Sequence, residues 1–355
     1  MTPLESLLIA RIVAQGPIRL DDYMADCLLH PDHGYYTRAT PFGAAGDFIT
    51  APEVSQMFGE LLGLWLAQCW LDQGAPGSFT LAEPGPGRGT LMADVLRATR
   101  GVPGFHAAAR VVLIEASPRL RAVQAARLGS GVAWADRVDD LPQGPLYLLA
   151  NEFFDALPVR QFTRAGAGWA ETMVTVQDGQ LTLARGTARP IVALAHRLGD
   201  TRDGDVVELC PAAATVMATV AGRIAQHGGA ALVVDYGGWN GTGDTLQAVR
   251  RHGFVPVLST PGQADLTAHV DFASLARAAR LAGARPCGPA GQGALLERLG
   301  ITARADRLAQ GLTGAPRTDH IAATRRLTHP DEMGTVFKAL AILPTNAPDP
   351  AGFAL

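Results

Sequence analysis

The sequence predicts an α/β fold built on a mostly parallel sheet with helices on both faces. Three observations predict it. Short runs of apolar and β-branched residues recur between 78 and 236, with helical stretches between them. Such continuous hydrophobicity, in place of alternation, marks strands buried on both faces. At 78–97 a strand, a glycine-rich turn and a helix follow one another, the order in which a parallel sheet presents a ligand site. The chain has 355 residues, 48% of them hydrophobic, enough for one large domain with insertions or for two smaller ones.

Residues 1–75 read as a mostly helical segment with a loop at 30–49. MTPLESLLIARIVAQG suits an amphipathic helix, whereas a secretory signal would put its positive charge first and end at small residues. Thr50-Ala-Pro-Glu53 has the spacing of a capping box before a helix over Val54–Trp70. Capping does not explain Gly46-Asp47-Phe48 or the aromatic loop His33-Gly-Tyr-Tyr36. The sheet-bearing core is read as 76–343. Its first strand is Ser78–Ala82, followed by a helix over Thr90–Arg97. Arg110–Glu115 is the second strand, and the next helix starts with Ser117 as N-cap and Pro118 at its first position. Gly131–Trp134, Pro145–Ala150 and Gly229–Tyr236 follow as strands, the last after a helix over Pro211–Gln226. Between them, 158–208 reads as an antiparallel hairpin insertion turning at Gly166-Ala-Gly168 and Gln177-Asp-Gly179. Helices are expected at Phe272–Leu281, Ala294–Leu299 and about 302–327, with a helical insertion at about 290–330. Phe337–Leu343 suits a last strand, and 344–355 a loose tail.

Composition narrows the function. A net charge of −3 and a pI of about 6.3 argue against a sequence-independent nucleic-acid binder. No apolar run approaches the roughly 18 residues of a membrane span. An unexported cytoplasmic protein is expected, with no membrane partner. Cys27, Cys69, Cys210 and Cys287 are far apart and form no CxxC, so they read as core residues and no metal is expected. Lys338 is the one lysine, which leaves no residue for a P-loop.

The stretch LAEPGPGRGTL (81–91) carries Gly85, Gly87 and Gly89, with Pro84 and Pro86 interleaved. Glycine beside proline sets free backbone next to a fixed φ, a way to hold one sharp turn. The spacing is GxGxG, because position 90 is Thr, and a dinucleotide site wants GxGxxG. Glu115, at the end of the second strand, suits ribose hydroxyls in an NAD or an S-adenosylmethionine site alike. Glu83 bears on that choice: a carboxylate before the glycines repels a pyrophosphate and attracts an ammonium or a sulfonium.

NEFFDALPV (151–159) follows the fourth strand, at the edge where open α/β sheets place their chemistry. Asn151, Glu152 and Asp155 stand there among Phe153 and Phe154. Carboxylates suit a cationic acceptor, since they hold a guanidinium by paired hydrogen bonds. In DLTAHVDF (265–272), His269 is a candidate proton acceptor and Asp271 a candidate helix cap.

Taken together, HPDHGYY, PFGAAGDFITAPEVSQMFGELLGLWL, EPGPGRGTLMADVLR, NEFFDALPV, VVDYG, PGQADLTAHVDF and MGTVFKALAIL resemble the MidA-type class I methyltransferases. That family includes the mitochondrial complex I assembly-factor arginine methyltransferase and bacterial relatives. The segments run in family order from about 20 to 343; one departure is Pro84, where the family usually has Leu. The resemblance implies a class I, Rossmann-like sheet with S-adenosylmethionine over its carboxyl edge. Gly85, Gly87 and Gly89 would approach the methionine part, Glu83 its ammonium side, Glu115 the ribose and Asp136 the adenine. Asp47 and Thr50 would close the site from a lid-like N-terminal segment, with the glycine-rich loop 43–46 as its hinge. The activity implied is protein-arginine methylation linked to respiratory complex I. Glu152 is then the first choice to localise the guanidinium charge, Asp155 and Asn151 support it, and His269 accepts a proton later. A non-catalytic assembly module, a small-molecule methyltransferase and, on the sheet and Glu115 alone, an NAD-dependent oxidoreductase are the alternatives. The partner expected is a protein substrate; the oligomeric state is open, a homodimer included.

Overall fold

The computed structural model describes residues 1–38 and 49–353. Seven strands make its central sheet: β1 (Phe79–Pro84), β2 (Ala109–Ile114), β3 (Val132–Ala135), β4 (Leu146–Asn151), β5 (Gly229–Gly238), β6 (Arg285–Gly291) and β7 (Phe337–Leu343). They lie in the order β6-β7-β5-β4-β1-β2-β3, with the short strand Val270–Asp271 beside the end of β5. The five strands β1 to β5 run parallel; β7 pairs antiparallel with β5 and β6 antiparallel with β7, so β7 alone is reversed. From β1 the chain moves outward through β2 to β3, then returns to the other side of β1 as β4. The carboxyl ends of β1 and β4 are therefore neighbours at the point where strand order reverses, where a crevice must open.

Strand residues alternate between two cores. Leu81, Tyr147, Leu149 and Leu232 pack on one face against the helix Gln56–Asp72, which is buried on nearly all sides. Ala82, Leu148, Ala231 and Val233 pack on the other against Pro211–His227 and Phe272–Leu281. The helix Thr90–Ala98 approaches Gln56–Asp72 closely: a Cβ on Gly63 would stand 2.9 Å from the Val95 Cα. That contact sets the helix that follows the glycine turn.

Several expectations are corrected. The helix read as Val54–Trp70 is a turn, Ala51–Val54, and a separate helix, Gln56–Asp72. Ser55 between them is extended, and its Oγ accepts the Met57 N–H at 3.3 Å; serine favours that capping role over a helix interior. Thr50 makes no side-chain cap, so there is no capping box there. The insertion is more than a hairpin. Arg160–Ala165, Gly168–Gln177, Gln180–Arg185 and Val206–Leu209 form an antiparallel sheet whose fifth strand, Ile18–Arg19, comes from the N-terminal segment. The stretch read as one helix, 302–327, is two, Ile301–Ala309 and Gly314–Thr328. The tail is packed through residue 353. Trp65 Nε1 donates to the Ala351 carbonyl at 3.0 Å, Arg298 donates to the Gly352 carbonyl, and Phe353 packs edge-on to Trp65.

Candidate cofactor and acceptor site

Glu83 and Pro84 end β1, and the turn after them is held by backbone bonds. Gly85 N–H donates to the Ile114 carbonyl at 3.0 Å and Gly89 N–H to the Pro86 carbonyl at 2.7 Å. Gly85, Gly87 and Gly89 all take left-handed φ, at +62°, +51° and +76°, where a side chain is strained. A Cβ on Gly85 would stand 3.0 Å from the Phe153 ring. The turn delivers the N-terminus of the helix Thr90–Ala98 to the crevice. Glu83 is buried and its Oε2 has no hydrogen-bond partner. Burial pushes its carboxyl up to about 8, against the pull of the Met92 N–H. An ammonium would supply the missing donor, so the chemistry of this residue fits the group implied by the sequence.

Glu115 follows β2. Its Oε1 accepts the Ser117 N–H at 2.8 Å and its Oε2 the Gln124 side-chain amide at 3.2 Å. A carboxylate offers about four lone-pair sites, so room remains for hydroxyls. Burial raises its carboxyl above the ordinary value, and those two donors oppose the rise. Gln124, fully buried, also donates to the Gly87 carbonyl at 2.8 Å and accepts from Trp134 Nε1 at 2.8 Å. One side chain thus ties the glycine turn to Glu115. Asp136 follows β3, but its carboxylate is exposed and paired with Arg121; it does not line the crevice.

Asn151 ends β4, and Glu152 follows with φ +49°, a strained value for a residue with a side chain. Glu152 Oε1 accepts the Ala51 N–H and the Asn151 Nδ2–H, both at 3.0 Å. Burial pushes its carboxyl up to about 7, the Ala51 and Asn151 donors pull it down, and nearby Asp155 pushes it further up. Asp155 is buried where Glu152 is half-buried, and desolvation pushes it up to about 6, against the pull of Tyr236 and of the Ala156 N–H. The loop hangs on Asp235 of β5. Its Oδ2 accepts the Phe154 and Asp155 N–H groups at 3.0 and 3.3 Å, and its Oδ1 accepts its neighbour Tyr236 N–H.

Glu83, Gly85, Gly87, Asn151 and Glu152 meet in a crevice of about 400 Å³ that opens to solvent, lined also by Thr50 and Glu53; Gly89, Glu115 and Asp155 stand outside its lining. The N-terminal segment forms one wall. Glu53 accepts from the Thr90 hydroxyl and pairs with Arg88 at 3.7 Å, and Arg326 donates to the Ile49 carbonyl. Asp47 and the 43–46 loop lie outside the described residues. His269 is elsewhere: exposed, its ring packs edge-on to Tyr236 and borders a second crevice with Glu208 and Ser274. Partial burial and Lys338 lower its pKa. Asp271 caps Phe272–Leu281 by accepting the Ala273 N–H.

Sequence reasoning missed Gln124 and Asp235. An acid inside the apolar run of β5 is a signal, since a buried carboxylate must be hydrogen-bonded. Gln124 gave none.

The comparisons agree with this geometry. A family model for S-adenosyl-L-methionine-dependent methyltransferases matches residues 61–290. The mitochondrial protein arginine methyltransferase NDUFAF7 of Xenopus tropicalis is 36% identical over 385 residues, covering 98% of this chain and 88% of that one. The human protein of the same name is 36% identical, with 97% and 84% covered. A crystal structure from Burkholderia thailandensis bound to S-adenosyl-homocysteine has a TM-score of 0.85 and 30% identity, covering 99% of this chain and 94% of that one. The cofactor is therefore S-adenosylmethionine, and the oxidoreductase alternative falls. The chain belongs to the MidA-type class I S-adenosylmethionine-dependent methyltransferases.

Proposed function

We propose that this methyltransferase modifies arginine on a protein substrate, a subunit of the respiratory NADH:quinone oxidoreductase or its bacterial counterpart, in the cytoplasm. Glu152 is the observation that carries the reading: a half-buried carboxylate, at a strained φ and held by two donors, on the wall of the cofactor crevice. The names of the mitochondrial relatives support the acceptor class.

Glu83 would hold the cofactor's ammonium, Gly85, Gly87 and Gly89 would let it approach backbone, and Glu115 would take its ribose. Asp136, outside the crevice lining, would reach the adenine only by leaving Arg121, and Thr50, with Asp47, is assigned to the closing wall. When bound, S-adenosylmethionine supplies an electrophilic methyl carbon on a sulfonium. An arginine is always protonated and its charge is delocalised. Glu152, when ionised, accepts guanidinium N–H bonds and draws the charge toward the nitrogens it faces, leaving another free to attack. Positioning then matters more than a strong base. Asn151 orients Glu152, and Asp155 supports the same cation. One proton leaves per methyl transferred; His269, beyond Tyr236, can receive it only after it has left the pocket.

The test is tritiated S-adenosylmethionine with the purified protein and lysate of a deletion strain, followed by hydrolysis of the labelled species. Label in methylated arginine of a respiratory subunit supports the proposal. Label in lysine, in a carboxyl ester or in a small molecule contradicts it.

A further inference from the structure

Asp155 has an unmet demand that the cofactor site does not answer. Its Oδ1 has no hydrogen-bond partner, although the residue is only 6% exposed. Phe154 and Asp155 N–H donate to Asp235 and Glu152 N–H to the Val234 carbonyl, so the Ala156 N–H is the backbone donor left near the Asp155 carboxylate, and it does not meet Oδ1. Asp155 also stands close enough to Glu152 and Asp235 for each to feel its charge. Among the described residues, none of these three carboxylates has an ion pair. The same protein treats other buried acids differently. Glu60 is paired with Arg97 and Arg304, and Glu171 with Arg160. Uncompensated buried charge is costly, so a cation from outside is the missing partner.

Two tyrosines, both partly exposed, flank Asp155. Tyr236 lies close enough to draw the Asp155 carboxyl down, follows Asp235, which holds the Asp155 N–H, and has Phe337 and His269 packed against its ring at 5.5 and 5.3 Å. Tyr36, from the N-terminal segment, lies within electrostatic reach of Asp155, and its hydroxyl donates to Asp265 at 2.8 Å. We infer that Asp155, Tyr36 and Tyr236 form the acceptor pocket, with the Asp155 Oδ1 as its floor, and that it takes a guanidinium. This rests on the arginine reading above. A planar guanidinium stacks on aromatic faces and has donors for Glu152 and Asp155 at once, whereas a compact ammonium has no plane to stack.

The experiment uses the full chain saturated with S-adenosylhomocysteine and titrates N-acetyl-arginine methylamide and the matching lysine amide, followed by NMR. The wild type should bind the arginine probe at least tenfold more tightly than the lysine probe. Asp155→Asn should weaken the arginine probe tenfold or more, and Tyr36→Leu about threefold or more, with S-adenosylhomocysteine affinity within twofold of wild type. If the wild type binds the arginine probe and both variants bind it equally well, the pocket is wrong and the arginine reading stands. Loss of S-adenosylhomocysteine binding in Asp155→Asn would also overturn the pocket, placing Asp155 on the cofactor side. If the wild type prefers the lysine probe or binds neither, the arginine reading falls and takes the pocket with it.

Discussion

Ala51 N–H donates to Glu152 Oε1 at 3.0 Å, so the N-terminal segment touches the carboxylate assigned to the acceptor. Two residues on, Glu53 holds the same turn to the crevice by accepting from the Thr90 hydroxyl. Order in this wall should therefore respond to what binds beside Glu152. Amide hydrogen exchange across 49–56 should slow by about tenfold or more when S-adenosylhomocysteine is added. Equal exchange with and without it would mean a static wall.

Gly85 tests the glycine turn. Gly85→Val puts a β-branched side chain at φ +62° and against the Phe153 ring. The strain should cost roughly 1–3 kcal/mol of stability, which leaves the chain folded and S-adenosylmethionine binding lost in calorimetry. A folded variant with wild-type affinity would put the cofactor elsewhere.

Glu83 should respond to pH and to cofactor together. Burial lifts its carboxyl from 4.5 to about 8, so at neutral pH it is mostly protonated, and a bound ammonium should ionise it. Calorimetry at pH 7 in buffers of different ionisation heat should show release of about one proton per S-adenosylhomocysteine. The raised value also means that the empty protein loses stability as pH climbs from about 4.5 through about 8 and no further beyond. Glu83→Gln should therefore lose cofactor binding yet melt roughly 1–3 °C higher than the empty wild type at pH 8.5. A lower melting temperature would contradict this.

Gln124 and Glu115 act as one unit. Gln124→Ala breaks three hydrogen bonds, to Gly87, Glu115 and Trp134, and should cost roughly 2–4 kcal/mol by denaturant titration. Glu115→Ala should weaken S-adenosylmethionine by roughly 1.5–3 kcal/mol, the scale of a charge-assisted bond. Unchanged affinity would remove Glu115 from the ribose.

What the sequence made legible follows from burial. β1, β2, β4 and β5 are apolar runs closed by glycine or acid, and each stands within two residues of its expected place. β6 reads Arg-Pro-Cys-Gly-Pro-Ala-Gly and looks like a loop; it is the outermost strand, the position where a missing N–H is tolerated. The hairpin Gln247–Arg250 with Gly253–Val255 was hidden because its tip is Arg251-His252, both at positive φ, with neither glycine nor asparagine to announce it. Ile18–Arg19 shows no strand pattern of its own and pairs only because the insertion offers an edge. In the site, motif residues were visible at Glu83, Gly85 and Glu152. The residues that hold them act through pairings distant in sequence: Asp235 leaves one signal, an acid within an apolar run, and Gln124 leaves none.

The central claim is that Glu152 acts on the acceptor and not on the cofactor. Glu152→Gln keeps the size and removes the charge. A carboxylate facing a cation in a dry site is worth far more than one in water. Burial holds Glu152 near 7, so turnover in the wild type should rise with pH through that value as the carboxyl ionises. The decisive measurement is the pH profile of kcat for both proteins, alongside S-adenosylmethionine affinity. The expected result is near-normal affinity in Glu152→Gln, kcat down by roughly two to three orders of magnitude, about 2.7–4 kcal/mol, and loss of the rise near pH 7. Wild-type turnover with the same pH dependence, or loss of cofactor binding with turnover kept at saturating cofactor, would contradict it.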